Sequence, residues 1–301
     1  LIPPILFAVL SFLRISSSQI AFGQLQGVVD IHSHGDPDTT PRSIDVLDFA
    51  KQAKAEGMRA IVLKNHYAPT VQIAYLVAKL VPGIEVVGGI ALDLAVGGVN
   101  PEAVIKAAAF KGKKLRIVWM PTFDSENNVK FLKQNRHFAS VAKNGQLLPE
   151  TMEVLKIIAK ENIVMATGHS SGPENLLLVR ESKKLGITHM VVTHPLYAPV
   201  HMTIPEMQEA AKMGAYLEFC GNSILPTQPK DGQIPVADYV KAIRAVGVEH
   251  AILSSDLGQA VNPVHTEGWK QMLSILSKAG LTKAELDMIS KTNPAKLLGL
   301  N

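Results

Sequence analysis

Two histidines separated by one residue, His32 and His34, are the first residues of the chain whose types and spacing could do chemistry. They follow an apolar, β-branched run that includes Val28, Val29 and Ile31 and that predicts a buried strand. Alternate residues of a strand face the same side, so both imidazoles are expected to point the same way. Neutral imidazole is the commonest protein ligand of zinc and similar metals, and this pair could supply half of a coordination shell. The alternative is that the two histidines are only polar residues that cap a strand before a turn.

Four other potential ligands come after apolar runs elsewhere in the chain: His66, His169, His194 and Asp256. In a parallel barrel the catalytic groups sit at the carboxyl ends of the strands, because the loops that follow the strands meet there. If these runs are strands of one barrel, the four side chains converge on the histidine pair. An isolated Asp256 could be a helix cap, but an aspartate that converges with histidines is expected to be a metal ligand and a base.

Eight apolar runs alternate with helical patterns, and these elements must position the side chains. The predicted strands end at residues 34, 66, 93, 122, 169, 194, 222 and 256, at nearly regular intervals except after the fourth. This alternation predicts an α/β fold with a parallel sheet, and a (β/α)8 TIM barrel is the simplest arrangement. A doubly wound open sheet is the alternative, although residues 35–38 do not form a glycine-rich phosphate loop. The long gap at residues 123–148 predicts an active-site insertion after strand 4.

The composition excludes several classes of protein. With 301 residues, of which 47% are hydrophobic, the chain can bury one large core. Its net charge of +4 comes from scattered Lys and Arg residues without a basic run, so we expect no nucleic-acid surface. The single cysteine, Cys220, rules out an intramolecular disulfide, and its apolar surroundings in the sequence predict a small buried side chain rather than a nucleophile.

The amino-terminal residues differ from the rest of the chain. Residues 1–13 are apolar and uncharged, too few to span a bilayer, and have the length of a signal-peptide core. We therefore predict a signal peptide or leader over residues 1–23, cleaved near residues 21–23, and a barrel domain over residues 27–301. A cleaved leader implies a periplasmic or secreted protein without a stable membrane span, and an uncleaved one a cytoplasmic protein. The alternative is an amphipathic helix packed on the domain, because Arg14 lies on the wrong side of the apolar core for a leader.

The order of the potential ligands resembles that of the metal-dependent amidohydrolase superfamily. Its pattern is His-x-His after the first strand, one His after each of the fifth and sixth strands, and Asp after the eighth; the matching residues here are His32, His34, His169, His194 and Asp256. Residues 292–300 (TNPAKLLGL) also resemble the Asn-Pro-Ala helix found near the end of these proteins. The resemblance covers residues 27–300. The closest likeness is to an uncharacterised branch with Lys-x-His on the second strand and Trp-Met-Pro-Thr on the fourth.

The resemblance implies a metal-dependent hydrolase that holds one or two divalent ions, with zinc expected first and manganese as the alternative. The five matching residues would be the metal ligands, and Asp256 and His194 would be catalytic. A bound ion lowers the pKa of water to about 7 and polarises the substrate oxygen. Asp256 would hold that water and carry its proton to the leaving group. The implied partners are small-molecule amides, lactones and other esters, or phosphoesters.

One departure from the superfamily pattern concerns the bridge between two metals. Many members use a carboxylated Lys or a Glu from the fourth strand, whereas residues 119–122 (WMPT) offer neither. Lys64 lies two residues before His66, so both should face the lumen. A Lys amine among cations or apolar walls readily loses its charge and can then take up CO2, which would make Lys64 a metal ligand. Alternatively, Lys64 pairs with Asp36, Asp38 or a substrate anion, and the site holds one metal.

Four residues are predicted as substrate contacts from their positions: His66, Arg42, Trp119 and His201. Two other functions stay open. One is a phosphoesterase of the polymerase-and-histidinol-phosphatase type, because residues 65–66 (NH) resemble its second-strand Asp-His, although eight strands and Asp256 argue against it. The other is a non-catalytic metal-binding barrel. The sequence is also compatible with a homo-oligomer.

Overall fold

Eight parallel strands pair in the order in which they follow each other along the chain. The computed structural model describes residues 25–300, so the predicted leader, residues 1–23, lies outside the described part. The strands of the barrel are β1 Val29–Ser33, β2 Ala60–Leu63, β3 Glu85–Ala91, β4 Leu115–Trp119, β7 Val164–Ala166, β8 Met190–Val192, β9 Tyr216–Cys220 and β10 Ala251–Ser254. Each of them lies inside one of the eight predicted apolar runs. The prediction of a (β/α)8 TIM barrel is confirmed, and the sequential strand order excludes the doubly wound alternative.

Helices follow the strands and cover the outside of the barrel. They are α1 Val46–Ala55, α2 Val71–Leu80, α3 Pro101–Ala109, α4 Glu126–Phe131, α5 Pro149–Glu161, α6 Gly172–Lys184, α7 Ile204–Lys212, α8 Val236–Val246, α9 His265–Lys278, α10 Lys283–Asp287 and α11 Asn293–Leu297. Their first turns carry the expected signals: Asn100 caps α3 just before a proline, and Thr203 forms a capping box with Glu206. Among residues 25–300, no helix is both long enough and apolar enough to cross a membrane.

The barrel closes along a short line between β10 and β1, which we call the seam. The backbone N–H of Asp256 donates to the carbonyl of His32, and that of His34 donates to the carbonyl of Leu257, both at 2.8 Å. Gly258 follows with φ +126°, and a Cβ atom there would lie 2.2 Å from the carbonyl oxygen of His34. Only glycine fits this close approach. The seam therefore places the first and last strand ends directly against each other.

The interior of the barrel is apolar toward the amino-terminal ends of the strands. Inward-facing residues of the strands pack there with Ala295 and Leu297 of α11. The side-chain amide of Asn293 donates to the carbonyls of Val248 at 2.8 Å and Ala251 at 2.7 Å, which fixes α11 against the start of β10. The predicted Asn-Pro-Ala helix thus plugs one end of the barrel, and the polar residues at the opposite end are free for chemistry.

The insertion after β4 contains regular structure of its own. It holds α4 and an antiparallel hairpin of two short strands, β5 Ala142–Lys143 and β6 Gln146–Leu147. The side-chain amide of Asn127 donates to the carbonyls of His169 at 2.9 Å and Pro199 at 2.7 Å. The insertion therefore supports the loops that follow β7 and β8, and it reaches the cavity at the carboxyl end of the barrel through Phe123.

Candidate metal centre

A cavity of about 370 Å³ opens at the carboxyl ends of the strands, where the sequence predicts the chemistry. All six predicted metal ligands and the predicted substrate contact His66 line it: His32, His34, Lys64, His66, His169, His194 and Asp256. They come from five different strands or from the loops that follow them. The structure thus brings together residues that the sequence places far apart.

The first group of converging atoms lies across the seam. Oδ1 of Asp256 is 3.2 Å from Nε2 of His32 and 3.2 Å from Nε2 of His34. The side-chain amide of Asn222 donates to the other oxygen, Oδ2, at 3.2 Å, and to the carbonyl of Asp256 at 3.0 Å. Asp256 has φ 47°, in the left-handed region that is strained for a residue with a side chain. The seam and Asn222 hold the carboxylate of Asp256 against the two imidazoles, although the Asp256 backbone is strained.

Glu218 orients His32 from the opposite side of its ring. Its Oε1 atom lies 3.1 Å from Nδ1 of His32 and accepts a hydrogen bond from Ser254 at 2.8 Å. A proton held on Nδ1 by this carboxylate leaves Nε2 as the nitrogen that faces Asp256. Glu218 is not among the residues predicted from the sequence, although a signal was present: it is the only charged residue in the apolar strand β9. A buried charge in such a strand needs a partner.

Lys64 lies among the same atoms. Its Nζ is 3.0 Å from Nε2 of His32 and 5.2 Å from the ring centroid of Trp119. Burial is the main reason that the pKa of Lys64 falls below its ordinary value. One predicted alternative partner is engaged elsewhere, because Oδ2 of Asp38 accepts from Arg42 at 2.7 and 2.9 Å. Lys64 is therefore a buried amine directed at the proposed metal ligands.

His66 is oriented by a chain of two polar residues. Its Nδ1 lies 2.7 Å from Oγ1 of Thr122, and the Thr122 hydroxyl donates to Oδ2 of Asp93. The backbone N–H of Thr122 also donates to Asp93, at 2.7 Å. His66 stacks on His34 with ring centroids 4.9 Å apart. Because Nδ1 is engaged, Nε2 is the nitrogen available to the cavity.

His169 and His194 form the other side of the cluster, with ring centroids 4.8 Å apart. The Nδ1 atoms of both are buried and have no hydrogen-bond partner within the described part of the chain, residues 25–300. Gly168, with φ +63°, precedes His169, and a Cβ atom there would lie 2.2 Å from the carbonyl oxygen of Met120. His194 has φ 25°, a second strained position. The backbone is thus forced into unusual shapes where these two imidazoles are presented.

The charges of the site depend on one another. Burial lowers the pKa of His32, but Asp256 and Glu218 raise it to about 9. Burial lowers the pKa of His34 to about 3 and that of His194 to about 4. Burial raises the pKa of Asp256, but His32 and His34 lower it to well below its ordinary value. The cluster therefore combines an ionised carboxylate with imidazoles whose protonation is strongly perturbed, as is common at functional sites.

The structure places the other three predicted substrate contacts in different surroundings from His66. Trp119 is only 1% exposed and does not line the cavity; it lies beneath Lys64, and its ring centroid is 6.0 Å from that of His32. His201 is exposed and lies outside the cavity lining. Arg42 lines the cavity, but Asp38 already binds its guanidinium. The position of a residue after a strand does not tell whether its side chain lines the cavity or is buried beneath it.

The donor atoms fit a divalent cation. Ligand atoms of His32, His34 and Asp256 all lie within 4.8 Å of one another, and those of His32, His194 and Cys220 do so as well. Imidazole nitrogen and carboxylate oxygen are ordinary ligands of zinc, and the outer nitrogen of His32 is bound to a carboxylate, as metal-binding histidines usually are. The predicted ligands are therefore placed where one ion could reach several of them. Cys220 is buried as predicted, but it also lines the cavity.

Comparisons with known proteins agree with this fold. The model of the Family of unknown function (DUF6282) matches residues 27–218. An organophosphorus hydrolase from Deinococcus radiodurans is similar in structure, with a TM-score of 0.62 and 15% identity over 93% of this chain and 94% of that chain. A structure described as molecular engineering of organophosphate hydrolysis activity from a weak promiscuous lactonase template has a TM-score of 0.61 and 15% identity, covering 93% and 97% of the two chains. None of the curated proteins matches the chain. At these identities, the likeness to the solved structures shows a shared fold.

Proposed function

This chain belongs to the Family of unknown function (DUF6282), and we propose that it is a metal-dependent hydrolase that uses water to cleave an amide, a lactone or other ester, or a related bond in a small molecule. The observation that carries the proposal is the convergence of Nε2 of His32, Nε2 of His34 and Oδ1 of Asp256 at the catalytic end of the barrel.

The proposed ion would be held by His32, His34 and Asp256, and a second ion would also use His169 and His194. Zinc, with manganese as the alternative, suits a set of imidazole and carboxylate donors. When bound, such an ion polarises the carbonyl or phosphoryl oxygen of the substrate and lowers the pKa of water to about 7.

Asp256 is the proposed proton carrier. Its Oδ1 faces the imidazoles of His32 and His34, and its Oδ2 accepts from the side-chain amide of Asn222. This carboxylate would accept the proton of the attacking water and pass it to the leaving group. His194 is the second proposed catalytic residue, because its ring stacks on that of His32 with centroids 5.6 Å apart and it borders the same space.

The remaining walls of the cavity would bind the substrate. Phe123 packs on His66 with ring centroids 4.1 Å apart, and Tyr197 packs on His194 at 5.1 Å. These aromatic rings can hold an apolar group of the substrate and exclude water from the histidine cluster. His66 would direct Nε2 toward a polar group of the substrate, and Arg42 would contribute from the rim.

The experiment is hydrolysis by metal-free protein after addition of zinc or manganese. Organophosphorus compounds and lactones are tested first, because they are named for the structures of similar fold, followed by esters, amides and phosphomonoesters. We expect turnover only with added metal. Asp256→Asn should abolish it, whereas His201→Ala, an exposed residue outside the cavity, is the matched control and should retain it.

Two results would favour the alternatives. Hydrolysis restricted to phosphomonoesters would support the phosphoesterase of the polymerase-and-histidinol-phosphatase type. Stoichiometric metal with no turnover on any of these substrates would overturn the hydrolase proposal and support a non-catalytic metal-binding barrel.

A further inference from the structure

Cys220 lies at the end of β9, on the wall of the cavity. We propose that Cys220 is a metal ligand, which together with one nitrogen of His32 and one of His194 forms a thiolate-containing position for a soft divalent ion. This inference rests on the proposed metal centre and extends it, since neither the sequence pattern nor the proposed function gives this cysteine a role.

The geometry places the thiol among potential ligands. Glu218 and Cys220 are two residues apart on β9 and both line the cavity, so the strand turns both toward the lumen. Sγ of Cys220 lies 3.8 Å from Nδ1 of His32 and 3.5 Å from Oγ of Ser254. The ligand atoms of His32, His194 and Cys220 are within 4.8 Å of one another. In tetrahedral coordination, zinc bonds of about 2.0–2.3 Å hold the donor atoms roughly 3.3–3.8 Å apart, so side-chain rotations would bring these three atoms closer together by up to about 1 Å.

Two buried atoms of residues that line the same cavity have no hydrogen-bond partner among residues 25–300. Nδ1 of His194 and Oε2 of Glu218 are both buried without a hydrogen bond, and Glu218 as a whole is only 1% exposed. Buried polar atoms are usually paired, so this imidazole nitrogen and this carboxylate oxygen are both available to a ligand in the cavity. A cation with its bound water would satisfy an imidazole nitrogen and a carboxylate oxygen together. This observation is independent of the cysteine and points to the same place.

The charges at this position are balanced when an ion binds. The thiol proton leaves to solvent when the sulfur coordinates an ion, which puts a thiolate near Glu218 and Asp256. The two positive charges of the ion balance that negative charge. Thiolate favours soft ions such as zinc and cadmium, whereas the position made by His32, His34 and Asp256 also suits manganese. The nitrogen of His32 beside Cys220 is Nδ1, so an ion at this position would replace the proton that Glu218 holds there, and that proton would leave to solvent. The position made with His34 and Asp256 uses Nε2 of the same ring, and the softness of the ion decides whether Cys220 participates.

The test uses cobalt(II), whose absorption spectrum reports its ligands. The metal-free full chain is titrated with cobalt(II) without oxygen, and a thiolate-to-cobalt charge-transfer band is expected in the near ultraviolet beside the visible d–d bands. The chain contains one cysteine, so such a band can arise only from Cys220. Cys220→Ser should remove the band. His201→Ala, which changes an exposed residue outside the cavity lining, is the control and should retain it.

Affinities give a second readout. Cys220→Ser should weaken cadmium binding by about 10- to 100-fold, the loss usual for altered metal-site residues, and should leave manganese binding nearly unchanged. Circular dichroism tests whether the Cys220→Ser variant is folded. If it is not, Cys220→Ala is used in its place. The cobalt spectrum of the wild type alone shows whether Cys220 is a ligand. Visible cobalt bands without charge transfer would overturn the thiolate ligand and leave the metal centre standing, whereas no cobalt uptake would overturn both.

Discussion

His66 and Thr122 are joined by a hydrogen bond of 2.7 Å between Nδ1 and Oγ1, and the direction of that bond is fixed by a third residue. The Thr122 hydroxyl has one proton, which it donates to Asp93, so its oxygen accepts from His66. The proton of the neutral His66 ring is therefore on Nδ1. Asp93, which follows β3, and Thr122, which follows β4, thus determine which nitrogen of His66 faces the cavity.

Removal of the Thr122 hydroxyl should release His66 from this orientation. We expect Thr122→Val to lower kcat/KM by about tenfold, the equivalent of one net hydrogen bond, and Thr122→Ser to restore most of it. Nitrogen-15 chemical shifts of the imidazole should show a mixture of tautomers in the valine variant and the Nδ1–H form in the serine variant. An unchanged tautomer in Thr122→Val would contradict the relay.

The variant His32→Ala with His34→Ala should lose its metal and keep its fold. Both side chains stand at the carboxyl end of the barrel, away from the apolar plug made with Ala295 and Leu297. Elemental analysis beside circular dichroism measures the two properties separately. Stoichiometric metal in the folded double variant would show that these histidines are not the ligands.

Lys64 should take up CO2 when two ions are bound. Its buried Nζ is 3.0 Å from Nε2 of His32, and its lowered pKa favours the neutral amine that reacts with CO2. High-resolution density should then show a planar group on Nζ that bridges two metals. Lys64→Met should bind only one ion, with or without added bicarbonate. A bare Nζ beside a single ion in the wild type would exclude the carbamate.

His265 should make stability depend on pH. It is buried at the start of α9, where Nε2 lies 3.1 Å from the carbonyl of Leu257 and the ring stacks on Phe49 at 3.8 Å. Burial lowers its pKa from 6.5 to about 3. Between these two pH values the His265 side chain is protonated in the unfolded chain and neutral in the folded protein. The free energy of unfolding therefore keeps the full contribution of His265 above pH 6.5 and decreases toward pH 3, by up to about 1.4 kcal/mol per pH unit.

The comparison with His265→Gln isolates this contribution. Urea unfolding of the metal-free proteins at several pH values gives the free energy of unfolding of each. The wild type should lose its advantage over the variant as the pH falls below 6.5. The other buried histidines are common to both proteins and cancel in the difference. A difference that does not change with pH would refute the assignment.

The sequence predicted the elements of the fold well because apolar periodicity and parallel strands leave few arrangements. It also predicted the cluster, since carboxyl ends of parallel strands must meet. It could not predict which side chains orient others. Asp93 closes the predicted third strand and Thr122 the fourth, but their link to His66 depends on distances that only the closed barrel sets.

Depth within the barrel was equally hard to predict. Trp119 and Lys64 both lie near strand ends, yet the indole lies below the ammonium and outside the cavity. His265 is buried at the start of α9, because the packing of a helix decides whether a histidine at its first turn faces solvent or core. Strand alternation gives the face of a side chain, while its height along the barrel axis requires the packed structure.

The seam gives the proposed ion a mechanical role. On one side of the seam are His32 and His34, at the end of β1, and on the other side is Asp256, just after β10. Two backbone hydrogen bonds join the two sides. An ion bound to all three residues would link the first and the last strand of the sheet. Its binding free energy would therefore stabilise the closed barrel. Amide hydrogens along β1 and β10 would then exchange with solvent more slowly when the metal is bound. The exchange rates of strands on the opposite side of the barrel would not change with metal binding.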